Sequence, residues 1–169
     1  MSSAKKNLSE YGDCPSGKGF RIHIAVSDWN TEITSKLLSG AKKALSDVGV
    51  VPDDIAVVHT PGAFELPVAA KTLLKSKNAD SIICLGCVIK GDTDHNIYIN
   101  QAVATGLTQL SVISGKPIIF GLLTVNSQEQ AEDRAGGKHG NKGIEAAITA
   151  VKMVHMQKEL GDIKTSIGF

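Results

Sequence analysis

Aromatic residues are scarce in this chain: one Trp, two Tyr and four Phe among 169 positions. Binding of single-stranded nucleic acid by base stacking therefore has few side chains to work with. An excess of one charge is lacking too. The formal net charge is +1, which leaves no electrostatic footprint for nucleic acid or an anionic membrane. No apolar run approaches the roughly eighteen residues that a transmembrane helix needs. The opening stretch, MSSAKKNLSEYGDCPSGKG, has no apolar core of the secretory kind. It predicts a flexible arm over residues 1–19, ahead of a single domain over residues 20–169. Cysteine is limited to Cys14, Cys84 and Cys87. An odd count without a secretory leader points to a reducing cytoplasm. What is present is ordinary for a soluble domain: 42% hydrophobic and 21% charged residues, with length enough to bury a core.

Strand-like and helix-like stretches alternate along the chain. FRIHIAV (20–26) predicts a strand. A helix capped by Asn30 or Thr31 follows, with Ile33, Leu37, Ala41, Ala44, Leu45 and Val48 at helical spacing and Gly49 as its stop. DIAVVHT (54–60) predicts a second strand, and a helix from Ala63 to Ser76 tolerates Pro67 in its first turn. SIICLGCVI (81–89) is a third strand, followed by a helix from Tyr98 to Ser114 with Ala102, Leu107, Leu110 and Val112 available for burial. KPIIFGLLTV (116–125) is a fourth strand. A short helix over residues 128–135, a break at GGKHGNKG, and a last helix marked by Ile144, Ala147, Ile148, Val151 and His155 complete the chain to about Leu160. The tail GDIKTSIGF either packs or frays. Four alternations predict an α/β fold, a parallel sheet with helices on both faces. The unalternated apolar strands agree, because both sheet faces must be covered.

Ligands of such sheets gather beyond the carboxyl ends of the strands. Those ends carry SDWN (27–30), TPGAFELP (60–67), KGDTDH (90–95) and TVNS (124–127). Asp92, Asp94 and Asn96 fall at the first, third and fifth places of a calcium loop. However, Ile97 stands where the loop needs glycine and Val103 where it needs a bidentate Glu, so calcium is excluded. Zinc lacks enough His and Cys at ligand spacing. A phosphate turn fits better: Gly91 permits close approach, and amides of residues 91–94 lead into a helix. Arg134 or Lys142 could supply the countercharge. A plain polar turn stays open beside this reading. His95 has the chemistry of a proton shuttle, or is a satisfied polar residue at a strand end. Glu65 either caps a helix start or offers a carboxylate to a polyol. Trp29 stacks on a flat heterocycle or anchors the core edge. Asn141 suits a helix cap, with Lys142 solvated. The C-x-x-C of Cys84 and Cys87 lies in a strand, where positions three apart face opposite ways, so it is expected to be structural.

SDWN, PGAFELP, GCVIKGDTDH, PIIFGLLT and AEDRAGGKHGNKG occur together, in this order. With them the chain resembles the lumazine synthase family over roughly residues 18–158. The resemblance implies a three-layer flavodoxin-like sandwich around a four-stranded parallel sheet. It implies an enzyme of riboflavin biosynthesis that condenses 5-amino-6-(D-ribitylamino)uracil with 3,4-dihydroxy-2-butanone 4-phosphate, using no metal and no organic cofactor. Trp29, with Asn30 beside it, is expected at the pyrimidine. Cys87, Val88 and Ile89 are expected to meet that ring mainly through backbone, and Ala63, Phe64 and Glu65 to hold the ribityl chain. Gly91, Asp92 and Thr93 should bind phosphate and His95 should move protons. A neighbouring subunit should bring Arg134 to the phosphate, and Phe120 to the heterocycle near Lys142. The resemblance further implies pentamers, with an uninterrupted GGKHGNKG favouring twelve of them in a shell of sixty subunits. Riboflavin synthase is the implied pathway partner.

The chain departs from the family directly after His95, where an aromatic residue and then an acid are usual. Asn96 and Ile97 stand there, which bears on how well His95 is tuned. A non-catalytic flavin- or lumazine-binding or shell-forming protein of the same fold is the rival reading. A response-regulator-like domain would need an acidic cluster around a strand-end Asp, and Asp28 has none in sequence.

Overall fold

The computed structural model describes residues 13–166. β1 (Ile22–Ser27) is buried at all six positions, as a strand covered on both faces must be. α1 (Thr31–Asp47) and a single 3₁₀ turn at Pro52–Asp54 lead to β2 (Val57–Thr60). A second 3₁₀ turn, Ala63–Glu65, opens α2 (Leu66–Lys77), with Pro67 in the first turn where its missing N–H costs nothing. β3 (Ser81–Ile89), α3 (His95–Ser114), β4 (Ile118–Val125) and α4 (Gln128–Asp133) follow. A small antiparallel hairpin of β5 (Ala135–Gly137) and β6 (Gly140–Asn141) then turns the chain into α5 (Lys142–Ser166). The main sheet has the order β2-β1-β3-β4 with every pairing parallel. This is the parallel α/β arrangement that the alternation predicts, and it agrees with the flavodoxin-like sandwich that the resemblance implies. No helix among the described residues is long and apolar enough to cross a membrane.

The sheet separates two cores. Ile22, Ile24, Val26, Ile83, Leu85 and Cys87 face one core with residues of α1 and α5. Ala25, Ile82, Cys84 and Leu122 face the other with residues of α2 and α3. Cys84 and Cys87 therefore lie on opposite faces, as strand geometry requires, and both are buried and free.

Asn141 joins α1 to α5. Its Oδ1 accepts from the amides of Gly143 (2.8 Å) and Ile144 (3.3 Å), capping α5, while its Nδ2 donates to the Lys36 carbonyl (3.0 Å). The approach depends on small residues. A Cβ on Gly40 would lie 2.7 Å from the Asn141 side chain, and one on Gly143 would lie 2.0 Å from the Leu37 carbonyl oxygen.

Several details differ from the sequence reading. α3 begins at His95 rather than Tyr98, because its first turn is polar and carries no apolar period. Val103 and Leu107 are its buried residues, whereas Ala102 is exposed and Val112 is 78% exposed. Val112 continues the apolar composition of the helix onto its outer side. The break at 136–143 contains the β5–β6 hairpin, and α5 continues past Leu160 to Ser166. Within the expected arm, Gly17 is buried and its amide donates to the Val48 carbonyl at 2.7 Å. Residues 1–12 of that arm and 167–169 of the tail lie outside the described residues.

Gly143→Ala is expected to destabilise the protein by about 3 kcal/mol, since a main-chain oxygen cannot swing aside. Gly161→Ala, later in the same helix with nothing near its added Cβ, is expected to be neutral or stabilising by up to about 1 kcal/mol. Thermal unfolding of the two variants side by side checks the contrast.

Candidate active site

Four parallel strands deliver their carboxyl ends to one edge, and the polar segments of the sequence assemble there. After β1, the amide of Asp28 donates to the Thr60 carbonyl (2.8 Å) and that of Trp29 to the Pro61 carbonyl (3.2 Å). The loop after β1 is thus stitched to the loop after β2. Trp29 itself is 72% exposed, so it is no core anchor. Asn30 occupies the N-cap position of α1 with a left-handed backbone (φ 60°) and no side-chain cap bond. Its Nδ2 instead donates to the Cys87 carbonyl (3.0 Å), linking the ends of β1 and β3. Thr31, the other expected cap, donates its hydroxyl to the Asp28 carbonyl.

The second segment presents Phe64, 60% exposed, beside the buried Ala63. Glu65 Oε2 accepts from the Gly62 amide (3.1 Å), which is the capping role, while its remaining oxygen stays at an exposed position. The third segment carries Val88 and Ile89, both half-buried, at the end of β3.

Residues 91–95 are all exposed. A Cβ at Gly91 would meet nothing within 4 Å, and its φ is not positive. Glycine here serves neither a tight turn nor a tight contact within the chain; it leaves the backbone open to approach from outside. Asp94 stands at the N-cap of the twenty-residue α3 and makes no side-chain cap bond. The first amides of this long helix therefore donate no bond to the Asp94 carboxylate and stay open to an outside acceptor. His95 is the first residue of that helix. No described side chain lies within hydrogen-bonding distance of its ring, and Ile97, where an acid is usual, is 45% exposed. One turn apart on α3, the buried Oδ1 atoms of Asn96 and Asn100 have no partner among the described residues.

Phe120 and Lys142 do not join this group. Phe120 pairs in register with Cys84, and Ile89 lies five residues further along β3, about 17 Å at the rise of a strand. Phe120 and Lys142 instead share a groove of ≈ 410 Å³ on the outer side of β4, with Ser111, Glu145 and Met153. Lys142 is not simply solvated: its Nζ pairs with Glu145 Oε2 at 2.9 Å. Its amide donates to the Arg134 carbonyl (2.9 Å), which sets the Arg134 backbone beside Lys142. No acidic side chain among the described residues lies within ion-pair distance of the Arg134 guanidinium.

One pair escaped the sequence reading. His59 Nδ1 lies 2.7 Å from Asp28 Oδ1 at the carboxyl ends of β2 and β1. These residues are 31 apart in the chain, so only strand register brings them together. No group of three or more His, Cys, Asp or Glu among the described residues could hold a metal ion.

A family model described as 6,7-dimethyl-8-ribityllumazine synthase matches residues 19–158. Proteins carrying that name are similar over nearly the whole chain. One from Porphyromonas gingivalis is 49% identical over 160 residues, covering 94% of this chain and 99% of its own. One from Parabacteroides distasonis is 48% identical, covering 92% and 98%. One from Cytophaga hutchinsonii is 50% identical, covering 91% and 98%.

The thiols are not equipped to take part as nucleophiles. Burial pushes Cys87 up to about 11 and Cys84 further still, while Cys14 is raised by burial against the opposing charge of Lys152. A raised thiol stays neutral until the pH approaches its shifted value, so the reactive thiolate is missing near neutrality. A disulfide reagent added to the folded protein at pH 8 is expected to label Cys14 at most, and all three cysteines after denaturation. Rapid native labelling of Cys87 would contradict the burial argument.

Proposed function

The chain belongs to the 6,7-dimethyl-8-ribityllumazine synthase family, and on that premise we propose how its residues divide the work. It is a transferase-type condensing enzyme of riboflavin biosynthesis, acting on 5-amino-6-(D-ribitylamino)uracil and 3,4-dihydroxy-2-butanone 4-phosphate. The observation that carries the site assignment is the gathering of Trp29, Ala63–Glu65, residues 87–89 and residues 91–95 along one edge of the sheet.

In this reading Trp29 stacks on the pyrimidine, Asn30 stands beside it, and the backbone of Cys87, Val88 and Ile89 lines the ring. Ala63, Phe64 and Glu65 hold the ribityl chain. Gly91, Asp92 and Thr93, at the uncapped start of α3, bind the phosphate through backbone donors. The 5-amino group adds to the ketone and water leaves, giving an imine. Loss of phosphate then yields an enol, which rearranges to a ketone. The ribitylamino nitrogen attacks that ketone, and a second water leaves as the ring closes. Each step moves protons, and the role of moving them is assigned to His95, an imidazole at the start of α3 next to residues 91–93. Both substrates are already reactive, so holding them together supplies much of the acceleration.

Phe120, Lys142 and Arg134 complete the site from a second copy of the chain. The strand-length separation of Phe120 from the carboxyl edge supports this, as does an Arg134 guanidinium with no acidic partner among the described residues. Pentamers are the assembly proposed, with twelve of them forming a sixty-subunit shell, in keeping with the uninterrupted GGKHGNKG. The proposed setting is the cytoplasm, with riboflavin synthase taking the product.

Lumazine formation followed by absorbance against the uncatalysed background tests the assignment. His95→Ala is expected to slow turnover by about a hundredfold without abolishing it. Arg134→Ala is expected to raise the KM for the butanone phosphate by about tenfold or more. An unchanged KM would remove Arg134 from the phosphate site. Tight binding of the ribityl pyrimidine or of riboflavin with no turnover in the unaltered protein would favour a non-catalytic binding or shell-forming protein.

Mixing tests the composite site. His95→Ala and Arg134→Ala chains, co-assembled in equal amounts, are expected to recover fully native sites at about a quarter of positions. A site built within one chain would recover none.

A further inference from the structure

Asp28 immediately precedes Trp29, and its carboxylate meets His59 at 2.7 Å. Both side chains are more than half exposed, at 58% and 56%, so the pair contributes little to global stability. Its position gives it a different value. β2 is a four-residue strand whose partner among the described residues is β1 alone, and its last two positions pair His59 with Val26 and Thr60 with Ser27. A short strand held from one side frays at its end. That end carries Thr60 and Pro61, the acceptors for the amides of Asp28 and Trp29. The other side of the same loop is fixed through Asn30 to Cys87. Beyond His59, a groove of ≈ 490 Å³ runs along β2 against Ala69, Thr72 and Leu73 of α2, so no described residue fills the space on that side of His59.

We propose that the Asp28–His59 pair is a positioning device that clips the end of β2 to the loop bearing Trp29, fixing the indole for the pyrimidine substrate. His59 is a positioning residue, not a catalytic one: it acts on the substrate only through Trp29. The inference rests on the stacking role given to Trp29 above, and its test separates the two. Trp29 is the single tryptophan of the chain, so the indole emission of the whole protein reports on this loop alone.

The experiment uses the assembled full-length protein and four variants: Asp28→Ala, His59→Ala, the double variant and His59→Asn. An asparagine Nδ2 can replace the Nδ1 donor of His without its ring. Emission anisotropy and acrylamide quenching are measured without substrate, and KM and kcat for the pyrimidine with the butanone phosphate saturating. His59→Ala and Asp28→Ala are expected to make the indole more mobile and more quenchable. They should raise KM for the pyrimidine up to about fivefold, the scale of one exposed pair, with kcat within about twofold. The double variant should be no worse than either single one, and His59→Asn should restore most of the loss. Unchanged anisotropy in both single variants, additive effects, or failure of His59→Asn to restore would each overturn the proposal. If the pyrimidine leaves the emission of the unaltered protein unchanged, the stacking role of Trp29 fails, and the substrate-free anisotropy still decides whether the pair holds the loop.

Discussion

A parallel sheet covered on both faces has to send every connection back over its surface, and this sends every strand to the same edge. In this chain the rule brings together loops that lie up to about seventy residues apart in sequence. Residues 28–30, 61–65 and 90–95 have no local reason to meet. They meet because β1, β2 and β3 run side by side in one direction. The loops then tie themselves to one another through Asp28, Trp29 and Asn30, so the floor of the site is set by the sheet and its rim by a few polar bonds.

The helical layers hold that sheet in place by close approach rather than by bulk. α1 and α5 come near enough for Asn141 to bond both the start of one and the flank of the other. Gly40 and Gly143 make room for it. Because α5 begins at Lys142, the same contact also sets where Lys142 and the Arg134 carbonyl stand beside the outer side of β4. A packing detail far from residues 90–95 therefore positions two of the candidate site residues.

The layers and strands were legible in the sequence because burial on both sides leaves runs such as residues 81–89 with no polar alternation. α1 was equally plain, since Ile33, Leu37, Ala41, Ala44 and Leu45 repeat at helical spacing and are all buried. The start of α3 was not, because His95 and Asn96 supply no apolar period and Asp94 makes no cap bond. Val112 misled for another reason: apolar composition does not say which side of a helix faces in. The candidate segments were visible as polar and glycine-rich clusters at strand ends, and strand direction brings them to one edge. Their division into two groups was visible only through the family resemblance, because the distance from Phe120 to the carboxyl edge depends on β-sheet register. Register also hid the Asp28–His59 pair.

The place of Phe120 in β4 carries one more consequence. In the reading adopted here, a lone chain holds the two halves of a site that it cannot bring together, since a rigid strand keeps them apart. Activity then belongs to the assembly and obeys mass action. Specific activity falls on dilution, and a substitution that merely loosens a subunit contact imitates one that damages the chemistry. Natural selection on turnover and selection on association act, at this edge of the sheet, on the same side chains.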